Sequence, residues 1–267
     1  MHHLHEQLTY EEFVVEVLPV GSIMKIVRAL YTGYGVIVFA TLFFLALPLF
    51  LIPMHFKKNH AMIGVINRWW ARLLFFFIAI PFKVEYRKPL VKGRKYIFCS
   101  NHFSYLDIPT LGLVSANAIF VGKTGIENIP LFGYVYGKLH ITVDRKKLKS
   151  RYESVKRSME AIDEGKSLII YPEGGIVTKK DPQMAKFKDG AFRIAIEKQI
   201  AIVPVTIPYN WIILPPEEFL LRWHPLKVIF HEPMETTGLT LQNIDSLKDK
   251  LFSIIESELK TQLSHEN

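Results

Sequence analysis

The chain holds one cysteine, Cys99, in 267 residues. A single cysteine excludes an intramolecular disulfide and every zinc module built on several thiolates, and it gives no hint of an oxidising compartment. Internal repeats and low-complexity tracts do not stand out, and no helix-turn-helix, RNP or zinc-finger pattern is found. Acidic residues are in the minority, with 25 Asp+Glu against 33 Lys+Arg and a formal net charge of +8. Apolar residues are abundant, at 49% of the chain, and mean hydropathy is +0.18. That much apolar surface offsets the entropy of ordering, so a disordered chain is excluded. The length suits one large domain or two small ones. A basic, greasy chain leaves two broad partners, nucleic acid and an anionic membrane surface.

The placement of the charge separates them. Ala29 to Met54 is a run of 26 residues with no charged side chain. About 20 apolar residues cross a bilayer as a helix, whereas a secretory signal has an apolar centre of about 7–15, so a membrane segment is expected over a signal. A buried core helix is the plainer alternative. Pro48 and Pro53 are positioned to kink or end the helix. A second apolar stretch, Leu73 to Phe82, is too short to span and reads equally as an interfacial piece or as core. Between Lys57 and Lys95 ten basic residues face one acid, Glu85, a net of +9, so the remainder of the chain sums to −1. This bias puts the side after the helix in the cytoplasm. Nucleic acid therefore ranks last as a partner, and membrane lipids rank first.

Residues 1–24 read as an N-terminal tail. His2, His3 and His5 have no companions at metal-ligand spacing, and Met24 is a natural start before the apolar helix. Residues 25–83 are expected to form a membrane-anchoring helical segment, and residues 84–267 an α/β domain. There, short apolar runs at Tyr96–Ser100, Ala118–Val121, Ser167–Tyr171, Ile202–Thr206 and, more weakly, Lys227–Phe230 read as strands. Val155, Met159 and Ile162 recur at helical spacing up to Gly165; Gly190–Lys198 and the Leu247–Leu259 repeat are further helices. The alternation predicts an α/β fold, a mostly parallel central sheet flanked by helices.

Chemistry-bearing residues follow the strands, at the ends where sites form in open α/β sheets. After the first come Asn101, His102 and Asp107. Residues five apart on a continuous helix point about 140° away from each other, so a loop is needed for this His and Asp to meet. An Asp bonded to one imidazole nitrogen fixes the tautomer and leaves the other as a base; a structural His near a loop Asp would give the same letters. Cys99 sits inside an apolar strand and reads as buried structure, and Ser104 lacks the Gly-x-Ser-x-Gly elbow of a serine nucleophile. His102 and Asp107 alone are too few for a metal site. Residues 138–160 hold eight bases and three acids, and Arg145 within them is suited to grip a phosphate bidentately. Pro172-Glu173-Gly174-Gly175 follows another strand: the glycines allow close backbone approach, and Glu173 could bond a hydroxyl, though a plain turn would also use Gly-Gly. Pro204 interrupts an otherwise apolar strand.

In this order, from about Met24 onward, the elements resemble the 1-acyl-sn-glycerol-3-phosphate acyltransferase group of the glycerolipid acyltransferase family. The family's Asn-His-x-x-x-x-Asp motif is matched by Asn101, His102 and Asp107. Its second, Gly before an apolar strand ending in Asp-Arg, is matched by Gly137, Asp144 and Arg145. Its Pro-Glu-Gly-Thr-Arg motif is matched by Pro172, Glu173 and Gly174, with Gly175 and Ile176 in place of Thr and Arg. Val203-Pro204-Val205 matches the fourth, and Phe187-Lys188-Asp189-Gly190 matches a Phe-Lys-x-Gly element. The resemblance implies acyl transfer from acyl-CoA or acyl-carrier protein, as co-substrate, to a lysophospholipid, with no cofactor or metal. It implies catalytic roles for His102 and Asp107 and substrate contacts from Asn101, Gly137, Arg145, Glu173, Gly174 and Lys188. The missing third-motif Arg leaves the acceptor headgroup open, with Lys179, Lys180 or Lys188 as replacements.

Overall fold

The structure, a computed structural model, describes residues 20–56, 59–125, 129–177 and 182–264. The expected tail up to residue 19 with its histidines, and Lys57, Lys58, Lys179 and Lys180, lie outside these residues.

The uncharged run forms α1 (Val20–His55), which begins inside the stretch expected as tail and continues through both Pro48 and Pro53. It is the one helix among the described residues long and apolar enough to cross a membrane. The next helix, α2 (Ala61–Phe77), runs back along it. Tyr31 Oη donates to Ile78 O (2.5 Å), Tyr34 Oη to Phe77 O (2.9 Å), and Phe39 meets Trp70 edge-on at 4.9 Å. Each helix has two faces. Leu42, Phe43, Phe50, Ile63, Leu74 and Phe75 are buried toward the domain, while Leu30, Ile37, Leu45, Trp69 and Phe76 stay exposed.

Seven strands form one sheet in the order β1-β7-β6-β2-β5-β3-β4. They are β1 (Phe82–Tyr86), β2 (Ile97–Ser100), β3 (Ala118–Lys123), β4 (Ile141–Val143), β5 (Ser167–Ile170), β6 (Ile202–Thr206) and β7 (Leu226–Phe230). All pairings are parallel except β6 with β7. The central β2 is buried along its whole length, as parallel strands covered on both faces require. Ile97 and Cys99 join the core under α6 (Gly190–Lys198) and α8 (Ile244–Ser264), while Phe98 packs with Val203, Val228 and Phe230 on the opposite side. Each such apolar side chain contributes about 1.5–3 kcal/mol on burial.

Two readings change. The stretch Leu73–Phe82, read equally as interfacial or as core, is not one element: it divides between the end of α2, a turn with Ala79 at φ 54° and the first residue of β1. β1 alternates apolar and charged residues, Phe82-Lys83-Val84-Glu85-Tyr86, the period of a half-buried strand, and the expected boundary at 83/84 cuts through it. Tyr86 pairs with Phe230 and stacks on its ring at 4.6 Å. Nor does Pro204 interrupt β6. His231 N–H donates to Pro204 O (3.0 Å), and the return bond of such an antiparallel pair is the one a proline cannot make. Past that point the partner strand carries an extra residue, since Val205 faces Phe230 but Ile202 faces Met234. The proline therefore sits beside a bulge, where its missing donor costs least.

Candidate active site

The segments that follow β2, β4, β5 and β6 meet at the C-terminal edge of the central strands. β2 ends at Ser100 and the chain turns through residues 101–106 into the short helix α3 (Asp107–Leu111). This turn brings His102 and Asp107 together: His102 Nδ1 lies 2.9 Å from Asp107 Oδ2. A carboxylate only accepts, so the proton sits on Nδ1 and Nε2 presents a lone pair. Asp107 Oδ2 also accepts the backbone N–H groups of Phe103 (2.9 Å) and Ser104 (3.0 Å), and Oδ1 accepts Asn210 Nδ2 (2.9 Å). Asp107 is fully buried; the His102 side chain keeps 11% of its surface exposed. Tyr171 stacks flat against the imidazole, with centroids 3.9 Å apart and planes at 15°.

The neighbouring motifs brace this loop. Glu173 is buried, and its Oε1 accepts the His102 N–H (2.8 Å) while Oε2 accepts the Ala185 N–H (2.8 Å). Asn101 is likewise buried and bonds Ile207 twice, Nδ2 to its carbonyl (2.9 Å) and Oδ1 to its N–H (2.9 Å). Both residues are expected to touch substrate, and in the structure their side chains also bond backbone. Gly137 lies in α4 (Phe132–Leu139), where it lines a shallow groove of about 420 Å³ with Ile129, Tyr134 and Lys138, and takes no part in the hydrogen bonds around His102.

The Gly174-Gly175 turn has φ of 90° and 147°, values that L side chains avoid. A Cβ at Gly174 would lie 2.5 Å from Lys188 Nζ, and one at Gly175 would lie 3.4 Å from Arg145 Nη1. Two cations thus flank consecutive glycines beside the imidazole. Burial pulls the Arg145 guanidinium below its usual pKa, which marks a charge with incomplete solvation and no ion pair among the described residues. This is an anion-accepting arrangement.

The rival nucleophiles are closed off. Cys99 is buried and burial pushes its thiol far up. Ser104 Oγ is spent on Leu214 O (2.8 Å) and the Leu106 N–H (3.1 Å). Among the described residues no three His, Cys, Asp or Glu side chains gather as a metal set. Two contributors had no signal in the sequence. Tyr171 reads there as the end of a strand, and nothing in the sequence singles out Asn210.

An acyltransferase family model matches residues 81–208, the stretch that holds all four motifs. Over 140 residues the chain is 34% identical to the chloroplastic 1-acyl-sn-glycerol-3-phosphate acyltransferase of Arabidopsis thaliana, covering 52% of this chain and 39% of that protein. Over 211 residues it is 28% identical to the 1-acyl-sn-glycerol-3-phosphate acyltransferase of Haemophilus influenzae, covering 76% and 83%. The chain thus spans only about two fifths of the length of the Arabidopsis and Brassica napus relatives, 39% and 40%. The crystal structure of the 1-acyl-sn-glycerophosphate (LPA) acyltransferase of Thermotoga maritima shares the fold, with a TM-score of 0.75 at 20% identity over 89% of this chain and 97% of that one. Residues 81–208, which hold the His102–Asp107 loop and the motifs that brace it, are thus similar to the acyltransferase family model and to these 1-acyl-sn-glycerol-3-phosphate acyltransferases.

Proposed function

We propose that the chain transfers a fatty acyl group from a thioester, acyl-CoA or acyl-carrier protein, to the sn-2 hydroxyl of lysophosphatidic acid, giving phosphatidic acid. The observation that carries this reading is the His102–Asp107 bond with Nε2 left for a substrate. Nε2 takes the hydroxyl proton as the oxygen attacks the thioester carbonyl carbon. The tetrahedral intermediate then expels the thiolate, and the imidazolium returns its proton to sulfur. Asp107 holds the tautomer and balances the imidazolium charge. A thioester is already activated, so no acyl-enzyme is needed. The step asks for no metal or prosthetic group. General-base help of this kind is worth about 10²–10⁴-fold.

Arg145 and Lys188, flanking Gly174 and Gly175, would hold the acceptor phosphate. A second acceptor, a lysolipid with another headgroup such as an aminolipid, is favoured by one feature: Gly175 and Ile176 stand where the family has Thr and Arg. The test is the full chain with either donor and a panel of lysolipids, read by product mass. Phosphatidic acid from lysophosphatidic acid supports the first reading; products only from other headgroups would replace it; no product from any pair would end the acyltransferase reading.

We also infer that α1 and α2 dock the enzyme on the cytoplasmic face of a membrane, within one leaflet. α1 touches the domain from Thr32, whose Oγ1 accepts the Leu221 N–H (2.8 Å), to buried Phe50. That is roughly 27 Å of helix at 1.5 Å per residue, too much contact for a bilayer core to surround. The charge bias after α1 supports the cytoplasmic side. An environment-sensitive label on Phe76 that ignored vesicles would overturn the docking.

A further inference from the structure

An apolar surface lies outside the two N-terminal helices, beside the catalytic loop. Between α7 (Asn210–Ile213) and β7 the loop 215–224 crosses α1 at Thr32 and Gly35. It is pinned there at Leu221 and Trp223. Leu221 packs where a Cβ on Gly35 would lie 2.7 Å away, its N–H donates to Thr32, and Trp223 Nε1 donates to Ala79 O (2.7 Å) in the turn that ends α2. Despite this anchoring, Phe219 and Trp223 keep 50% and 63% of their surface exposed. Phe219 adopts φ 54°, a costly backbone state for an aromatic residue, and the result is a ring held outward. That ring meets Tyr105 edge-on at 5.6 Å, and Tyr105 is itself 53% exposed. Tyr105 lies between His102 and Asp107 in the chain, so the patch adjoins the catalytic turn.

We infer that the loop 215–224 together with Tyr105 is a third membrane-contacting element, which seats the catalytic turn at the lipid surface. This rests on the docking of α1 and α2 proposed above. Three observations choose lipid as the occupant. The patch is continuous with the exposed apolar faces of those helices, through Thr32 and Ala79. Its members are aromatic, and Trp and Tyr favour the membrane–water boundary. Its charge is weakly cationic: Arg222 pairs with Glu218 (2.7 Å), whose carboxyl Arg28 and Lys25 at the start of α1 also hold below its usual range, and with Glu217 counted one positive charge is left over to meet anionic headgroups. An acceptor lysolipid would then reach His102 from the membrane, past Tyr105.

The test uses the full chain, whose own Cys99 is buried and will not label. Phe219→Cys, Phe76→Cys and Ser253→Cys, each carrying an environment-sensitive fluorophore, are mixed with vesicles of phosphatidylcholine and phosphatidylglycerol. Emission at positions 219 and 76 should shift to the blue and be quenched by spin-labelled lipid, while position 253 on α8 stays unchanged. A shift at 76 with none at 219 would sink this inference and leave the helix docking intact. Silence at both would overturn the docking and this inference with it. In addition, Phe219→Asp should lower turnover of a vesicle-borne acceptor about tenfold, the loss of one half-buried aromatic anchor, while turnover of detergent-dispersed acceptor is retained. Equal turnover in both assays would count against the element.

Discussion

The Asn101 side chain holds Ile207 by both of its backbone polar groups, at 2.9 Å each, across 106 residues of sequence. This pair of hydrogen bonds ties the His102 loop to the end of β6. Asn101→Ala removes two hydrogen bonds and leaves a buried N–H and C=O without partners. The expected loss is about 3 kcal/mol, or about 6–12 °C in Tm for a chain of this size. Thermal unfolding in detergent checks it, and an unchanged Tm would mean that the loop is held by other contacts.

His102→Ala should lower acyl transfer by about 10²–10⁴-fold while the protein stays folded and vesicle-bound. Asp107→Asn should also impair it, because an amide that donates toward Nδ1 favours the wrong tautomer. Single-turnover product formation measured by mass, with circular dichroism as the folding control, separates chemistry from collapse. Turnover retained in His102→Ala would remove the general-base assignment.

Arg145→Ala should raise the acceptor KM more than the thioester KM, with about 10–100-fold lost in acceptor kcat/KM, the range of a charge-assisted hydrogen bond. Arg145→Lys should recover only part, since an ammonium lacks the planar fork. Lys188→Ala should act in the same direction. Equal damage to donor and acceptor kinetics would assign Arg145 to structure.

His140 is buried between Phe120 and Tyr136, its Nδ1 accepts the Phe120 N–H (3.3 Å), and burial lowers its pKa from 6.5 to about 3. Between those values the unfolded chain binds the proton and the folded chain does not, so stability rises with pH. The contribution is complete above about 6.5 and is lost as pH falls toward 3. From pH 7 to pH 5 it should cost about 2 kcal/mol at this residue. His231, also lowered by burial, adds in the same direction. Denaturant unfolding at the two pH values measures the drop. His140→Gln keeps an acceptor for Phe120 and should flatten it; an equally steep drop in that variant would place the effect elsewhere.

Cys99 should resist alkylation in the folded protein, and acyl transfer should survive thiol reagents, because burial raises its pKa and closes access. Labelling at the rate of a free thiol would show that β2 opens.

Local pattern alone carried much of this protein. The alternation of apolar runs with helical spacing is a property of neighbours in sequence, so β2, β3, β5, β6, β7 and the α/β class were legible. The same holds for α1, whose uncharged run needs no partner to be recognised. The strand β1 was missed because its pairing with β7 joins residues far apart, and its neighbour Leu73–Phe77 masked its own alternation. Pro204 was read as an interruption because the bulge that excuses it lies on another strand.

The site divides in the same way. His102, Asp107 and Arg145 could be named from residue type and spacing, since a loop after a strand is enough to bring a His and an Asp together. What the sequence could not settle was direction. The carboxylate of Glu173 and the amide of Asn101 bond backbone N–H and C=O groups that would otherwise be buried without partners. Asn210 on Asp107, Tyr171 against His102 and the outward Phe219 come from segments that only the folded sheet draws beside the catalytic turn. Residue chemistry and periodicity thus determined the fold class and the candidate pair, His102 and Asp107. Tertiary structure alone decided which polar atoms remain free for a ligand, because that depends on long-range packing and on which buried groups must first be satisfied.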